Sequence, residues 1–269
     1  MNLWPNPRYP KVQQFSNPEL TRDLIVIGGP CSWESEEQID LIFNRIVPNV
    51  DFVRGGVFRA GTYPPKPEDW GWKMNLLKLV HHKCRQAQKP NVVDVLDIRD
   101  LNKINPYTEI FQVGMRQAQH YALLRELGKQ KKPIILKRGS WMTYDETMGA
   151  LEYILEGGNT NVFLCERGSV SNHQHVRWEL SIPMIVQIKQ QTGISVIVDA
   201  AHGSGKASLV IPLTLAGIVA GADGILVETH PNPKESLSDA NQALSFKEFH
   251  DLLPRAKVVY HLSRTDHLK

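Results

Sequence analysis

The chain has 269 residues, 42% of them hydrophobic and 22% charged, with 31 Lys and Arg against 28 Asp and Glu for a formal net charge of +3. That is enough apolar material for one large domain, and a charge balance this even argues against nucleic acid or an anionic membrane as partner. No apolar run nears the roughly 20 residues of a bilayer span, residues 1–22 lack the apolar stretch of a signal peptide, and three distant cysteines make neither a disulfide framework nor a zinc ribbon. A cytoplasmic setting is expected.

Eight short apolar runs follow in chain order, at 24–28, 52–58, 91–96, 109–113, 133–137, 161–165, 194–198 and 224–227. They are continuously apolar, as strands of a parallel sheet buried on both faces must be. Helical periodicity fills the gaps. Ile39, Ile42, Phe43 and Ile46 follow Ser35 and Gln38 at capping-box spacing, and Met148, Leu151 and Leu155 follow Thr143 and Glu146, stopping at Gly157 and Gly158. The third unit has the least chain between its strands, so its helix must be short. Eight strand–helix units predict a closed (β/α)8 TIM barrel of the α/β class, since an open doubly wound sheet has fewer strands and a different glycine-rich first turn from the GGPC at 28–31. The expected organisation is an N-terminal extension at 1–23, a barrel at 24–254 and a C-terminal tail at 255–269.

Barrel active sites lie at the carboxyl ends of the strands, where this sequence concentrates cations and metal ligands. Arg54, Arg116, Lys137, Arg138 and Arg167 adjoin those ends. Several guanidinium forks converging on one mouth predict a small, highly anionic substrate. Cys31, His202, Glu228 and Asp239 come from the first, seventh and eighth units, which meet only if the sheet closes. A thiolate, an imidazole and two carboxylates suit Mn²⁺, Fe²⁺, Co²⁺ or Zn²⁺ with a position left for water or substrate. His230, His173 and His175 are rival ligands, and each of the four singly could be a buried or capping side chain.

Taken together, GPCS, RGG, GMR, LKRG, LCERG, HGSG, ETH and SD, in this order from Gly29 to Asp239, resemble the type I 3-deoxy-D-arabino-heptulosonate-7-phosphate (DAHP) synthases, with the 3-deoxy-D-manno-octulosonate-8-phosphate synthases as more distant relatives. The resemblance implies a divalent metal on Cys31, His202, Glu228 and Asp239. It implies condensation of phosphoenolpyruvate with an aldose phosphate, erythrose 4-phosphate foremost, in a homo-oligomer of the aromatic amino-acid pathway. Phosphoenolpyruvate would be bound by Arg54, Arg116, Lys137 and Arg167, with Arg138 beside them and Lys137 or Glu166 moving protons.

One segment departs. Where the family carries Lys-Pro-Arg-Thr-Ser, this chain has Arg59, Ala60, Gly61, Thr62 and Tyr63. Arg59 and Thr62 keep a cation and a hydroxyl for the acceptor, but Gly61 removes the arginine that grips the aldose phosphate, a loss of about 2–3 kcal/mol unless another cation such as Lys66 substitutes. Three alternatives follow: a different or unphosphorylated aldehyde, a Schiff-base aldolase with Lys137 as nucleophile at a lowered pKa, and a non-catalytic barrel that binds a phosphometabolite.

Overall fold

The computed structural model describes residues 23–58 and 69–265. Its eight strands are β1 (Ile25–Gly29), β2 (Phe52–Arg54), β3 (Asn91–Asp94), β4 (Ile110–Val113), β5 (Ile134–Lys137), β6 (Val162–Glu166), β7 (Ser195–Val198) and β8 (Gly224–Glu228). All are parallel, ordered as in the sequence, and closed by β8 pairing with β1 from Ile25↔Gly224 to Gly29↔Glu228. The expected (β/α)8 barrel forms, and closure is what brings the two ends of the chain together.

The runs are continuously apolar because both faces are covered. Inward-facing Ile27, Phe52, Ile110, Ile135, Phe163 and Leu226 fill the barrel, while the outward residues pack against the helices. Those helices are α1 (Glu36–Arg45), α2 (Asp69–Gln86), α3 (Ile98–Ile104), α4 (Tyr121–Gly128), α5 (Tyr144–Glu156), α6 (Ile182–Gln191), α7 (Ala200–Ser204), α8 (Ala207–Val219) and α9 (Phe246–Arg264). Helix α3 has seven residues, as the short third unit requires. At α5 the capping box closes in both directions, with Glu146 N–H donating to the Thr143 hydroxyl and Thr143 N–H donating to the Glu146 carboxylate. At α1 only half of it forms: Ser35 accepts from Gln38 N–H, but the Gln38 side chain accepts from Glu34 N–H.

The boundary expected at 254/255 falls inside α9. Pro254 removes one helical hydrogen bond, yet the helix runs on because Ala256 and Tyr260 extend the buried stripe of Phe249, Leu252 and Leu253. Residues 255–264 are thus part of the last barrel helix rather than a tail. The extension at 1–22, and Arg59, Gly61, Thr62 and Lys66, lie outside the described residues. Among the described residues no helix is long and apolar enough to cross a membrane.

At the mouth, Gly29 ends β1 with φ +148, and a Cβ there would sit 1.9 Å from the Arg54 carbonyl oxygen. Only glycine lets β1 pass this close to β2 and turn Cys31 over the rim.

Candidate functional site

Every strand alternates, so the parity of its interior residues continues into the mouth. Phe52 leads to Arg54, Val92 to Asp94, Ile110 to Gln112, Ile135 to Lys137, Phe163 and Cys165 to Arg167, Ile197 to Asp199, and Leu226 to Glu228. The uppermost interior layer of the barrel is therefore charged.

Cys31, His202, Glu228 and Asp239 each turn one donor atom to a common point, all four atoms lying within 4.8 Å of one another. Cys31 follows β1, His202 stands on α7, Glu228 ends β8 and Asp239 lies in the loop beyond it. The Cys31 thiol donates to Asp239 Oδ2 at 3.1 Å, and His202 Nε2 lies 3.3 Å from Glu228 Oε1 and 3.9 Å from Asp239 Oδ2. Ligands around a tetrahedral ion with bonds of about 2.0–2.3 Å stand roughly 3.3–3.8 Å apart, so only small adjustments separate this donor set from a coordination shell. The residues present fit a divalent ion.

The ligands are held from behind. Glu228 is fully buried, accepting from Arg54 Nη1 at 2.7 Å on one oxygen and from Gln242 Nε2 at 2.6 Å on the other. Burial disfavours its charge, but His202 and Arg54 outweigh that and hold its pKa below the ordinary value. Asp199, also fully buried, caps α7 and joins His202 Nδ1 to Lys137 Nζ, each at 2.8 Å from its Oδ2. Glu34 accepts from Leu237 N–H at 2.9 Å and faces His230, tying the β1 loop to the loop that carries Asp239. Asp239 itself sits at φ +54, a left-handed conformation that such ties must hold.

Beside the cluster opens a cleft of about 260 Å³. Arg54, Arg116, Lys137, Arg167 and Arg177 line it. Arg54 spends Nη1 on Glu228 and on the Pro30 carbonyl, and its buried Nε has no hydrogen-bond partner. Lys137 keeps its proton: burial would lower its pKa, but the Asp199 carboxylate reverses the effect and raises it. Arg167 donates to the Ser140 hydroxyl and lies over the Trp178 ring, and burial lowers its pKa. Arg177 stacks on the other side of this account, against the same ring and 3.3 Å from Asp239 Oδ1.

Two expected residues point elsewhere. Arg138 and Glu166 have the opposite parity to Lys137 and Arg167, so they leave the cleft and meet each other in the barrel wall, with Arg138 Nε 2.5 Å and Nη2 2.8 Å from the Glu166 oxygens. Glu166 also accepts from Gly168 N–H and Ser181 N–H, which leaves its oxygens occupied by structure. The rival ligands stand apart from the cluster: His230 pairs with Glu34 and the Asn232 carbonyl, and His173 and His175 are exposed. Sequence reasoning passed over Asp94, Gln112, Asp199 and Gln242. The first three were within reach of strand parity; Gln242 lies in a loop and carries no such signal.

Fold and site together define a barrel enzyme with a possible metal-binding group at its C-terminal mouth. The chain belongs to the DAHP synthetase I family, whose model matches residues 21–261. It is 36% identical over 233 residues to a phospho-2-dehydro-3-deoxyheptonate aldolase of Thermotoga maritima, a match covering 86% of this chain and 68% of the relative. A crystal structure of phospho-2-dehydro-3-deoxyheptonate aldolase (DAHP synthase) from Thermotoga maritima has a TM-score of 0.84 at 34% identity, covering 89% of this chain and 70% of that one. A truncated form of 3-deoxy-D-arabino-heptulosonate 7-phosphate synthase from the same organism gives 0.81 at 33%, covering 89% and 88%. A 2-dehydro-3-deoxyphosphooctonate aldolase of Desulfotalea psychrophila is 26% identical over 255 residues, 86% of this chain and 88% of the relative.

Proposed function

We propose that this protein condenses phosphoenolpyruvate with erythrose 4-phosphate to give DAHP and inorganic phosphate, the entry step of the shikimate pathway, with a divalent ion on Cys31, His202, Glu228 and Asp239. The observation that carries the reading is the convergence of those four donors beside a cleft lined by five cations. Such an ion supplies Lewis acidity toward the aldehyde oxygen when bound. Arg116 and Arg167 serve the phosphate of phosphoenolpyruvate, while Arg54 and Lys137, already fixed by Glu228 and Asp199, meet its carboxylate. The enol carbon bonds to the aldehyde carbon, water adds to the carbon left electron-poor, and phosphate departs with its bridging oxygen. The Lys137 ammonium is the group placed to give a proton to the new hydroxyl. Its raised pKa speaks against the Schiff-base alternative, which needs a neutral amine. Arg138 and Glu166 brace the wall of the cleft.

Phosphate release from phosphoenolpyruvate tests the reading directly. Chelation is expected to abolish it and Mn²⁺, Fe²⁺, Co²⁺ or Zn²⁺ to restore it; full activity in excess chelator would refute a metal-centred reaction. The comparison of ions identifies the working metal. The sequence Arg59-Ala60-Gly61 favours a second reading in which the acceptor differs. A panel of aldoses separates the two, and saturation by micromolar erythrose 4-phosphate selects the first. We propose a cytoplasmic homo-oligomer as the working form, to be measured by light scattering of the purified chain.

A further inference from the structure

We infer that Asp199 is a positioning residue that decides which ring nitrogen of His202 faces the metal ligands. The inference rests on the metal-centre reading of Cys31, His202, Glu228 and Asp239.

The geometry is a small closed cycle. Asp199 Oδ1 accepts the backbone N–H of His202 at 3.1 Å, and Oδ2 accepts Nδ1–H of the same residue's ring at 2.8 Å. A backbone contact and a ring contact from one carboxylate fix both the start of α7 and the direction of the imidazole. Oδ2 also accepts from Lys137 Nζ at 2.8 Å, which keeps the carboxylate ionised and able only to accept. Nδ1 must therefore carry a proton in this contact. The other nitrogen, Nε2, is thereby turned to Glu228 Oε1 and Asp239 Oδ2, where a lone pair next to two carboxylates is tolerable only with a cation between them.

Helix capping alone needs one oxygen, and Asn caps a helix as well as Asp. The second oxygen is the one in excess of that role. In Asp199→Asn, with the amide oxygen still on His202 N–H, the amide NH2 replaces Oδ2 and faces two donors. Nδ1 can accept from it only after its proton moves to Nε2, which places an N–H where the ion must bind.

The test is zinc affinity of the purified full chain, read by competition with a chromophoric chelator. Asp199→Asn is expected to weaken binding about 10- to 100-fold, and an affinity within about threefold of the unaltered protein would overturn the inference. His202→Ala runs beside it. If that variant too binds zinc as tightly as the unaltered protein, the metal-centre reading falls; if only Asp199→Asn does, that reading stands and the role of Asp199 falls. A second measurement needs no variant that must fold with a charge removed beside Lys137. In the zinc-loaded, ¹⁵N-labelled protein, long-range ¹H–¹⁵N correlations of the His202 ring, assigned by their loss in His202→Ala, are expected to show the proton on Nδ1. A proton on Nε2 would overturn the inference, and a change in general stability would not move this signal.

Discussion

Replacing Glu166 by Gln removes one charge from an ion pair enclosed in the barrel wall, where the Arg138 and Glu166 side chains are only 4% and 1% exposed. The carboxylate takes two hydrogen bonds from the guanidinium, on Oε2 at 2.5 Å and Oε1 at 2.8 Å, and Oε1 also accepts from Gly168 N–H at 2.9 Å and Ser181 N–H at 3.1 Å. Gln can preserve the three contacts at Oε1, but its NH2 must then face Arg138 Nε. Breaking a buried pair costs about 3–5 kcal/mol, and the surviving contacts place this variant near 3. At about 2–4 °C per kcal/mol for a domain of this size, the melting temperature is expected to fall by about 6–12 °C. Calorimetry of the metal-free protein measures that shift, and phosphate-release kinetics well below the transition measure function. The KM for phosphoenolpyruvate is expected within about threefold of its original value, since neither side chain lines the cleft. An unchanged melting temperature with abolished turnover would refute this reasoning and restore Glu166 as a proton carrier.

Glu34→Gln weakens the acceptor for Leu237 N–H and Ser236 Oγ, releasing the loop that holds Asp239 at positive φ; zinc affinity by chelator competition is expected to drop about tenfold with little change in melting temperature. Asp97→Ala removes the N-cap of α3 and should cost about 1 kcal/mol at neutral pH, read from urea midpoints. Hydrogen bonds from Arg99 lower the Asp97 pKa from 3.8 to about 2, so its stabilisation is complete above the unfolded value and lost as pH falls through the folded one; the two midpoints are expected to converge near pH 2. Phe163→Ala empties the barrel interior where this ring meets Phe52 edge-on at 6.3 Å, and unfolding titrations should show a loss of about 3–5 kcal/mol.

The barrel is legible in the sequence because enclosure on both faces leaves a trace that needs no partner to be seen: an uninterrupted apolar run at each strand. Ring closure is legible from the count, and closure alone carries Cys31 to Glu228. What a list of strand-end residues does not say is which of two neighbours turns inward. Lys137 and Arg138 are adjacent cations, and Glu166 and Arg167 adjacent charges, yet Lys137 and Arg167 line the cleft while Arg138 and Glu166 neutralise each other in the wall. Parity resolves this once one interior residue per strand is known, and the same rule selects Asp94, Gln112 and Asp199. Pro254 misleads for a different reason: proline marks helix ends by its local cost, and the burial of Ala256 and Tyr260 outweighs that cost only in the folded chain.

The charged top layer explains how one surface can serve both an ion and an anion. Burying Arg54, Lys137, Asp199 and Glu228 singly would cost each several kcal/mol, whereas the pairs Arg54–Glu228 at 2.7 Å and Lys137–Asp199 at 2.8 Å leave none of them without a counter-charge. Each pair joins one group that faces the substrate to one that holds or orients a metal ligand. The cations are therefore fixed and charged before any phosphate arrives, and reorganisation at the moment of binding is small. An apolar layer of the same volume would serve the fold as well or better, so the retention of four buried charges at this level, above an interior otherwise filled by Ile, Val and Phe, is a signature of function rather than of stability.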